Sequence, residues 1–474
     1  MLGVAHPAGS DRPRGVRVAA LVCALLAAQS WSCRGAPPRV GAVVAPPAAP
    51  AAPRVVAEAP ASPPAGAPAP VAPPAPVAPP RPPPRANVLL ITIDSLRADM
   101  PWAGYPRDIA PRLTALEKRC TSYTRAYATA SHTAPSVGAM LYGRYASELP
   151  RDGYFSARYP PSLRSFVAAL TDAGVRTIAG HAHLYLQRAG FGRGFTTFEL
   201  LPGLVPSPNL DTSLSSRALE GLAERQLGAV GDRAGDGEPP FFAWYHFLDP
   251  HGEWLEAPRD EGVPRFGARP RDRYDAEVFY TDKYVGKLLD YVESRAWGAH
   301  TLVIVTSDHG EGVGDHGQLY HGYEVWESLV HVPLFVCEPG AEPRHVDTPR
   351  SLIDLGATVL DAFDVPRPPE LRGTSWLPEV RGGAAEARDV LIDLPANNLS
   401  FSRRALIGER TKVVAIGESR RRVVYDLVAD PRERSPIRRG PVFDEQSRKL
   451  TEIERSLREV PPSGCARGCI QGWD

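Results

Sequence analysis

The chain has 474 residues, and at roughly 150 residues per domain this length predicts two or three domains. Lysine plus arginine and aspartate plus glutamate both number 54, but eight arginines and only two acids, Asp11 and Glu58, lie in residues 1–85. Residues 86–474 therefore carry 46 basic and 52 acidic groups, a net charge of −6. A body of that charge is not a general polyanion binder, which excludes nucleic acid as a partner.

The first 33 residues predict an export signal. Arg12, Arg14 and Arg17 precede an apolar run of eleven residues, Val18–Ala28, as in a secretory signal peptide, and this run is too short to span a bilayer comfortably. Cys33 follows in QSWSC and resembles the acylated cysteine of bacterial lipoproteins, although Ser30 stands where a leucine is usual. We expect export to the periplasm or cell surface, with membrane contact only through an acylated Cys33 if that anchor forms.

Residues 34–85 predict a disordered linker. Alanine, proline and valine dominate Ala36–Pro84, and 19 of its residues are proline. Such a segment has almost no large side chain to bury and is extended and semi-rigid, so it predicts a spacer and not a folded domain. Near the other end, Cys465 and Cys469 predict either a small disulfide loop or, less favoured, a zinc site.

The body of the chain predicts an α/β fold. Continuous apolar runs, typical of central strands covered on both faces, occur at Asn87–Asp94, Phe241–Phe247 and Thr301–Thr306. Amphipathic patterns at residues 110–119, 162–173 and 274–295 predict helices between them. This alternation indicates a sandwich of helices around a mostly parallel central sheet, which we assign to residues 86–385.

Residues 386–474 predict a smaller C-terminal α+β subdomain. Short strand-like pieces separated by turn residues occur at residues 390–393, 404–408, 412–416 and 422–427. A helical pattern near 443–459 follows them. Together they indicate a small antiparallel sheet with one helix packed on the main domain.

Chemistry-bearing residues concentrate in four segments of the body. Ligands bind beyond the carboxyl ends of strands in such sheets, and two of the strong strands end in an acid, Asp94 and Asp308. Carboxylates next to imidazoles suit a divalent metal, and Asp308 followed by His309 is the strongest such pair. Any one aspartate after a strand is more often a cap or turn residue, so the prediction rests on the joint occurrence. The segments are ITIDSLRAD, SHTAPSVGAM, HFLDPHGEW and SDHGEGVGDHGQLYHG.

These segments resemble the sulfatase family, within the alkaline phosphatase superfamily. NVLLITIDSLRAD is similar to its opening strand with a metal-binding aspartate, and YATASHTAPSVGAMLYGRY to the segment that carries the nucleophile. TSDHGEGVGDHG resembles the second metal-binding segment, and VVYDLVADPRE resembles a late segment of the C-terminal subdomain. The pieces follow the family's order and span about residues 86–435.

The resemblance implies a metal-dependent mechanism. Asp94, Asp308 and His309 would hold one divalent metal, and Thr133, at the nucleophile position, would contact the same ion and attack the ester. His251 would donate a proton to the leaving oxygen or bind the anion. His321 stands near the position where sulfatases place a lysine that contacts the anion, and His246 is a candidate for indirect support or anion contact.

The chain departs from the family pattern at three positions. Sulfatases use a formylglycine made from cysteine or serine, and Thr133 cannot form that aldehyde. Val137 replaces the arginine after Pro-Ser, and Ser95 replaces the second aspartate of the usual pair. A more neutral, histidine-bearing site fits Mn²⁺ or Zn²⁺ at least as well as Ca²⁺.

We therefore expect an exported, formylglycine-independent hydrolase of sulfuric or phosphoric esters. Its substrate would be a sulfated or phosphorylated small molecule, glycan or lipid, with phosphorus somewhat favoured because a phosphate ester needs only an alkoxide. Two alternatives remain open: a phospho-group transferase of the same superfamily, in which Thr also occupies this position, and a non-catalytic anion- or glycan-binding relative with a degenerate site.

Overall fold

The structure is a computed structural model that describes residues 87–153, 157–202, 213–397, 400–417 and 421–463. The predicted export signal and linker, with Cys33, lie outside these residues, as do Cys465 and Cys469. Among the helices within these ranges, none has the length and apolar character needed to cross a membrane.

Fifteen strands, ten α-helices and six short 3-10 helices make up the regular structure of these ranges. The strands are β1 (Asn87–Ile93), β2 (Thr121–Tyr123), β3 (Ala126–Tyr127), β4 (Arg176–His181), β5 (Thr197–Leu200), β6 (Phe241–Phe247), β7 (Thr301–Thr306), β8 (His331–Val332), β9 (Leu334–Cys337), β10 (Arg344–Val346), β11 (Arg350–Ser351), β12 (Val390–Leu394), β13 (Arg403–Ile407), β14 (Thr411–Ile416) and β15 (Arg421–Asp426). The helices are α1 (Pro111–Glu117), α2 (Thr133–Tyr142), α3 (Phe166–Asp172), α4 (Leu184–Ala189), α5 (Ser216–Gly228), α6 (Pro270–Ser294), α7 (Glu327–Val330), α8 (Leu355–Ala362), α9 (Leu377–Val380) and α10 (Pro441–Ser456).

The main sheet has eight strands in the order β10-β2-β9-β7-β1-β6-β4-β5. The run from β7 through β1, β6 and β4 to β5 is parallel, whereas β9 pairs antiparallel with both β7 and β2. The three strands predicted from continuous apolar runs are therefore neighbours at the centre of this sheet.

Helices cover both faces of the sheet. Because successive side chains of a strand point to opposite faces, Val88 and Leu90 of β1 enter one core while Leu89 and Ile91 enter the other. The first core includes residues of α2, α3 and α8, and the second includes residues of α1, α5 and α6. Burial on both faces explains the near-absence of polar residues inside β1.

A four-stranded antiparallel sheet, β12-β13-β14-β15, follows the main sheet in the chain. One of its faces packs against Tyr127 and Val330 of the main body, and the other packs against Leu450 of α10. Lys412 of β14 is fully buried and pairs with Glu327 at 3.0 Å and Glu433 at 2.9 Å. The α/β sandwich with a small C-terminal antiparallel sheet is confirmed.

A disulfide that the sequence did not predict joins Cys120 to Cys337, with their Cα atoms 4.4 Å apart. The two cysteines are 217 residues apart in the chain, and the antiparallel pairing of β2 with β9 brings them together. Spacing alone could not reveal this pair, because it depends on the order of strands in the sheet.

Candidate active site and metal centre

Three adjacent strands end at one point on the edge of the main sheet. In the register of the sheet, Thr92 of β1 lies beside His246 of β6 and beside Thr306 of β7. The residues that follow these strands, Asp94 and Asp308, therefore meet next to His246, and all three side chains are fully buried. One donor atom from each lies within 4.8 Å of the others, a spacing that suits a metal ion.

The tautomer of His309 is set by the backbone. Its Nδ1 donates to the carbonyl oxygen of Gly310 at 2.9 Å, so Nε2 presents a lone pair to the site. That nitrogen lies 3.5 Å from Asp94 Oδ1 and 3.5 Å from Asp308 Oδ2. Two carboxylates and an imidazole lone pair thus converge, an arrangement that repels itself unless a proton or a cation lies between them.

The nucleophile candidate, Thr133, lies at the first residue of α2. Its Oγ1 is 3.1 Å from Nε2 of His309, and its side chain is buried. Ser136, one turn later, donates to the backbone carbonyl of Asp308 and ties this helix to the end of β7. The Thr133 hydroxyl therefore lies within hydrogen-bond distance of the Nε2 lone pair of His309.

The two carboxyl groups have opposite protonation behaviour. Burial, followed by the charge of Asp94, raises the pKa of Asp308 to about 8. Burial also acts to raise the pKa of Asp94, but the combined effect of His251, His246 and His309 lowers this pKa well below its ordinary value. Both side-chain oxygens of Asp308 are buried without a hydrogen-bond donor, so this donor set fits a bound cation.

Trp244 and Thr92 form a hydrogen-bonded series that supports His246 through its Nδ1. The indole N–H of Trp244 donates to Thr92 Oγ1 at 2.8 Å, and that oxygen lies 2.7 Å from Nδ1 of His246. Nε2 of His246 points to Asp94 Oδ2 at 3.2 Å. Ser95, which stands in place of a second aspartate, has a φ of 60° and donates to Asp94 Oδ1 at 3.1 Å.

A second group of histidines surrounds this centre. His321 lies with its ring centroid 4.2 Å from that of His309 and 5.0 Å from that of His251. Its Nδ1 donates to Glu311 Oε1 at 3.1 Å, so Nε2 is the nitrogen left to face the site. Burial lowers the pKa values of His321 and His132, which favours neutral imidazoles.

Other polar residues of the four segments lie elsewhere. The carboxylate of Asp249 accepts the backbone N–H groups of Ser215 and Ser216 at the start of α5, with distances of 2.8–3.1 Å. Arg97 forms ion pairs with Asp99 at 2.7 Å and Asp315 at 2.5 Å. These residues support the surrounding loops and do not reach the centre.

Two residues of the site were not predicted from the sequence. His183, in the turn between β4 and α4, has its Nε2 3.9 Å from Asp94 Oδ2. Glu311, within the last of the four segments, orients His321 through the contact of its Oε1 with Nδ1. The available signal for His183 was the short apolar stretch Thr177–Gly180 followed by two histidines, a shorter run than those used to predict strands.

Comparison with known proteins identifies the family that the sequence motifs resemble. The model of the family called Sulfatase matches residues 86–365. Choline-sulfatase of Rhizobium meliloti is 25% identical over 445 residues, which cover 76% of this chain and 84% of that protein. The ulvan-active sulfatase of Formosa agariphila is 22% identical over 426 residues, with coverage of 80% and 82%.

Solved structures show the shared fold. The phosphonate monoester hydrolase of Agrobacterium radiobacter has a TM-score of 0.63 at 20% identity and covers 79% of this chain and 95% of its own. A second solved protein was determined in complex with its substrate, D-glucosamine-2-N,6-O-disulfate. It has a TM-score of 0.67 at 17% identity, and the match covers 78% of this chain and 97% of that protein.

Proposed function

The chain belongs to the sulfatase family, whose members generally use a divalent metal, and from this premise we propose that it hydrolyses anionic esters with Thr133 as a metal-activated nucleophile. The observation that carries the proposal is the meeting of Asp94, Asp308 and the Nε2 lone pair of His309 at the hydroxyl of Thr133. A structural role would not require a threonine hydroxyl at this point.

Asp94, Asp308, His309 and His246 are the residues that would hold the ion. When bound, a divalent ion lowers the pKa of a neighbouring hydroxyl and neutralises the oxygens of the ester. A set of two carboxylates and two imidazoles favours Mn²⁺ or Zn²⁺ over Ca²⁺, which prefers six to eight oxygen ligands.

The reaction then needs a nucleophile and a proton donor from this chain. Thr133 loses its hydroxyl proton to solvent, Oγ1 attacks the phosphorus or sulfur atom, and the bond from that atom to the leaving oxygen breaks. His251, beside Asp94, gives a proton to the leaving oxygen. Water afterwards cleaves the ester on Thr133 and regenerates the hydroxyl.

Threonine at the nucleophile position favours phosphorus over sulfur. Thr133 has a single hydroxyl and cannot supply the second hydroxyl by which a formylglycine hydrate expels sulfate. Phosphate and phosphonate esters need only an alkoxide, which the buried carboxylate–imidazole centre supports. We therefore propose a formylglycine-independent enzyme whose substrates are phosphorylated or sulfated small molecules, glycans or lipids.

The cysteine pairing supports an exported enzyme. A disulfide between Cys120 and Cys337 is typical of proteins that fold in an oxidising compartment. Together with the N-terminal pattern of residues 1–33, it favours the periplasm or cell surface, with Cys33 as the point of lipid attachment if the protein is anchored.

The proposal is tested by turnover of the purified full chain on a panel of esters. Nitrophenyl sulfate, phosphate monoester, phosphate diester and phosphonate ester are each assayed with Mn²⁺, Zn²⁺ or Ca²⁺. We expect turnover that falls by about 10³-fold or more in Thr133→Ala and is largely kept in Thr133→Ser. Equal turnover in Thr133→Ala, or none on any ester with metal bound, would overturn the proposal, and the second result would favour a binding role or a selective transferase.

A further inference from the structure

We propose that the site holds a second divalent cation, bound by His183 and His251 and shared with the first ion through the carboxylate of Asp94. The inference rests on the proposed function for the first ion and adds a second binding site next to it. With the second ion bound, His251 is a ligand and not the proton donor, and the cation takes up the charge of the leaving oxygen. The two ions together would form a binuclear centre along one edge of the sheet.

The donor atoms for this second ion are already grouped. One donor atom each from Asp94, His183 and His251 lie within 4.8 Å of one another, as do those of Asp94, His246 and Asp308. Donors that share an ion at about 2.1 Å are at most about 4.2 Å apart, so small side-chain rotations close the set. The rings of His183 and His251 have centroids 5.7 Å apart.

The topology of the sheet explains why two groups overlap at Asp94. The strands lie in the order β7-β1-β6-β4. The first group follows β7, β1 and β6, whereas the second follows β1, β6 and β4, one strand further along the same edge. Asp94, after β1, which belongs to both sets, has Oδ1 toward His309 at 3.5 Å and Oδ2 toward His183 at 3.9 Å.

The charges of the side chains around Thr133 favour a second cation. Among the described residues, the ion pairs of Asp94 and Asp308 all involve imidazoles. The nearby guanidinium of Arg97 is already paired with Asp99 and Asp315. One divalent ion offsets the charge of the two carboxylates but leaves no net positive charge for an anionic ester that approaches Thr133, and a second cation supplies it.

The hydrogen bond of His183 predicts that the second ion binds more weakly than the first. Its Nδ1 accepts the backbone N–H of Tyr185 at 3.3 Å, so the proton of the neutral ring is on Nε2, the nitrogen that faces Asp94. Binding through Nε2 moves that proton to Nδ1 and breaks the contact with Tyr185. The side chain of His183 is 20% exposed, which lets water take over as the partner of Nδ1.

The stoichiometry of metal binding tests the inference. The untagged full chain is stripped with a chelator, titrated with Zn²⁺ in a calorimeter, and analysed for metal by mass spectrometry. We expect two ions per chain, bound in two steps, and one ion in His183→Ala. His345→Ala is the matched control because His345 pairs with Glu117 at the surface, and it should keep two ions.

Paramagnetic resonance of bound Mn²⁺ provides a second readout. Two Mn²⁺ ions that share the carboxylate of Asp94 should give an exchange-coupled paramagnetic resonance spectrum in the wild-type chain, and His251→Ala should give the spectrum of an isolated ion. Saturation of the wild type at one ion would overturn the second site. If Asp308→Asn then abolishes that ion and His183→Ala does not, the proposed function still stands; no bound ion at all would contradict both.

Discussion

At the scale of single residues, the site is built from side chains whose donor atoms are fixed by neighbours. Gly310 sets the tautomer of His309, Glu311 that of His321, and Thr92 supports His246. Such partners orient metal ligands and raise their basicity, although they do not touch the ion. The hydroxyl of Thr92 is the clearest case, since it joins Trp244 to His246 within the sheet.

Replacement of Thr92 by valine should weaken metal binding while the fold persists. Valine keeps the shape and the strand preference but removes the oxygen that faces His246 Nδ1, and we expect about 10–100-fold lower affinity for Zn²⁺. Calorimetric titration of the full chain measures this change. Thr301→Val is the control, because Thr301 is a buried strand threonine whose hydroxyl donates to Trp297 at the other end of the sheet. Equal affinities for Zn²⁺ in the two variants would show that Thr92 does not support the metal site.

The residues that sequence patterns could predict are those that follow strong strands. Asp94 and Asp308 come directly after continuous apolar runs, which made their meeting at one sheet edge predictable. The side chain of Asp249 looks equivalent in sequence, yet it caps α5. That difference depends on which way the loop after β6 turns, and local sequence does not specify it.

At the scale of elements, helix α1 depends on a carboxylate from another helix. Asp282 of α6 accepts the backbone N–H of Arg112 at 2.9 Å and of Leu113 at 2.7 Å, in the first turn of α1. The residue before that helix, Ala110, has no capping side chain. Asp282 therefore takes the place of an N-cap across the helix pair.

Replacement of Asp282 by alanine should destabilise the protein in a pH-dependent way. Loss of the two hydrogen bonds should cost about 1–3 kcal/mol near pH 5. Burial raises the pKa of Asp282 from 3.8 to about 7, so the folded state keeps a proton in this window that the unfolded state has lost. The stability that Asp282 contributes therefore falls as pH rises from 4 to 7.

Denaturant unfolding at pH 5 and pH 8 measures the effect. The difference in free energy of unfolding between wild type and Asp282→Ala should be smaller at the higher pH. Asp290→Ala is the control from the same helix: Asp290 is 59% exposed and pairs with Arg112 at the surface, so little change is expected. A difference that grows with pH would contradict the protonation assigned to Asp282.

Two elements, α2 and β4, were not predicted because their sequences lack a clear apolar pattern. Helix α2, which carries Thr133, is buried on almost every side and contains Pro135 and Gly138, so it shows little amphipathic period. Strand β4 is short and includes Gly180, and its run is less apolar than that of β1. In contrast, α6 is long and periodic, and it was predicted to within a few residues at its start.

At the scale of the whole molecule, the arrangement of the sheet makes the site. Residues from β1, α2, β6 and β7 are distant in the chain and meet only because β7, β1 and β6 are neighbours. The same arrangement pairs β2 with β9 and brings Cys120 to Cys337. The fold class was predictable from the alternation of strands and helices, whereas strand order, and with it His183 and the disulfide, was not.

The central claim is that Thr133 becomes covalently bound to the group it removes from the ester. The most direct test is mass spectrometry of the full chain, quenched with acid during turnover of its preferred nitrophenyl ester and digested to peptides. We expect one phosphoryl or sulfuryl group on Thr133, which is absent from Thr133→Ala. A modified residue other than Thr133, or turnover with no adduct while the chemical step is fast, would contradict it.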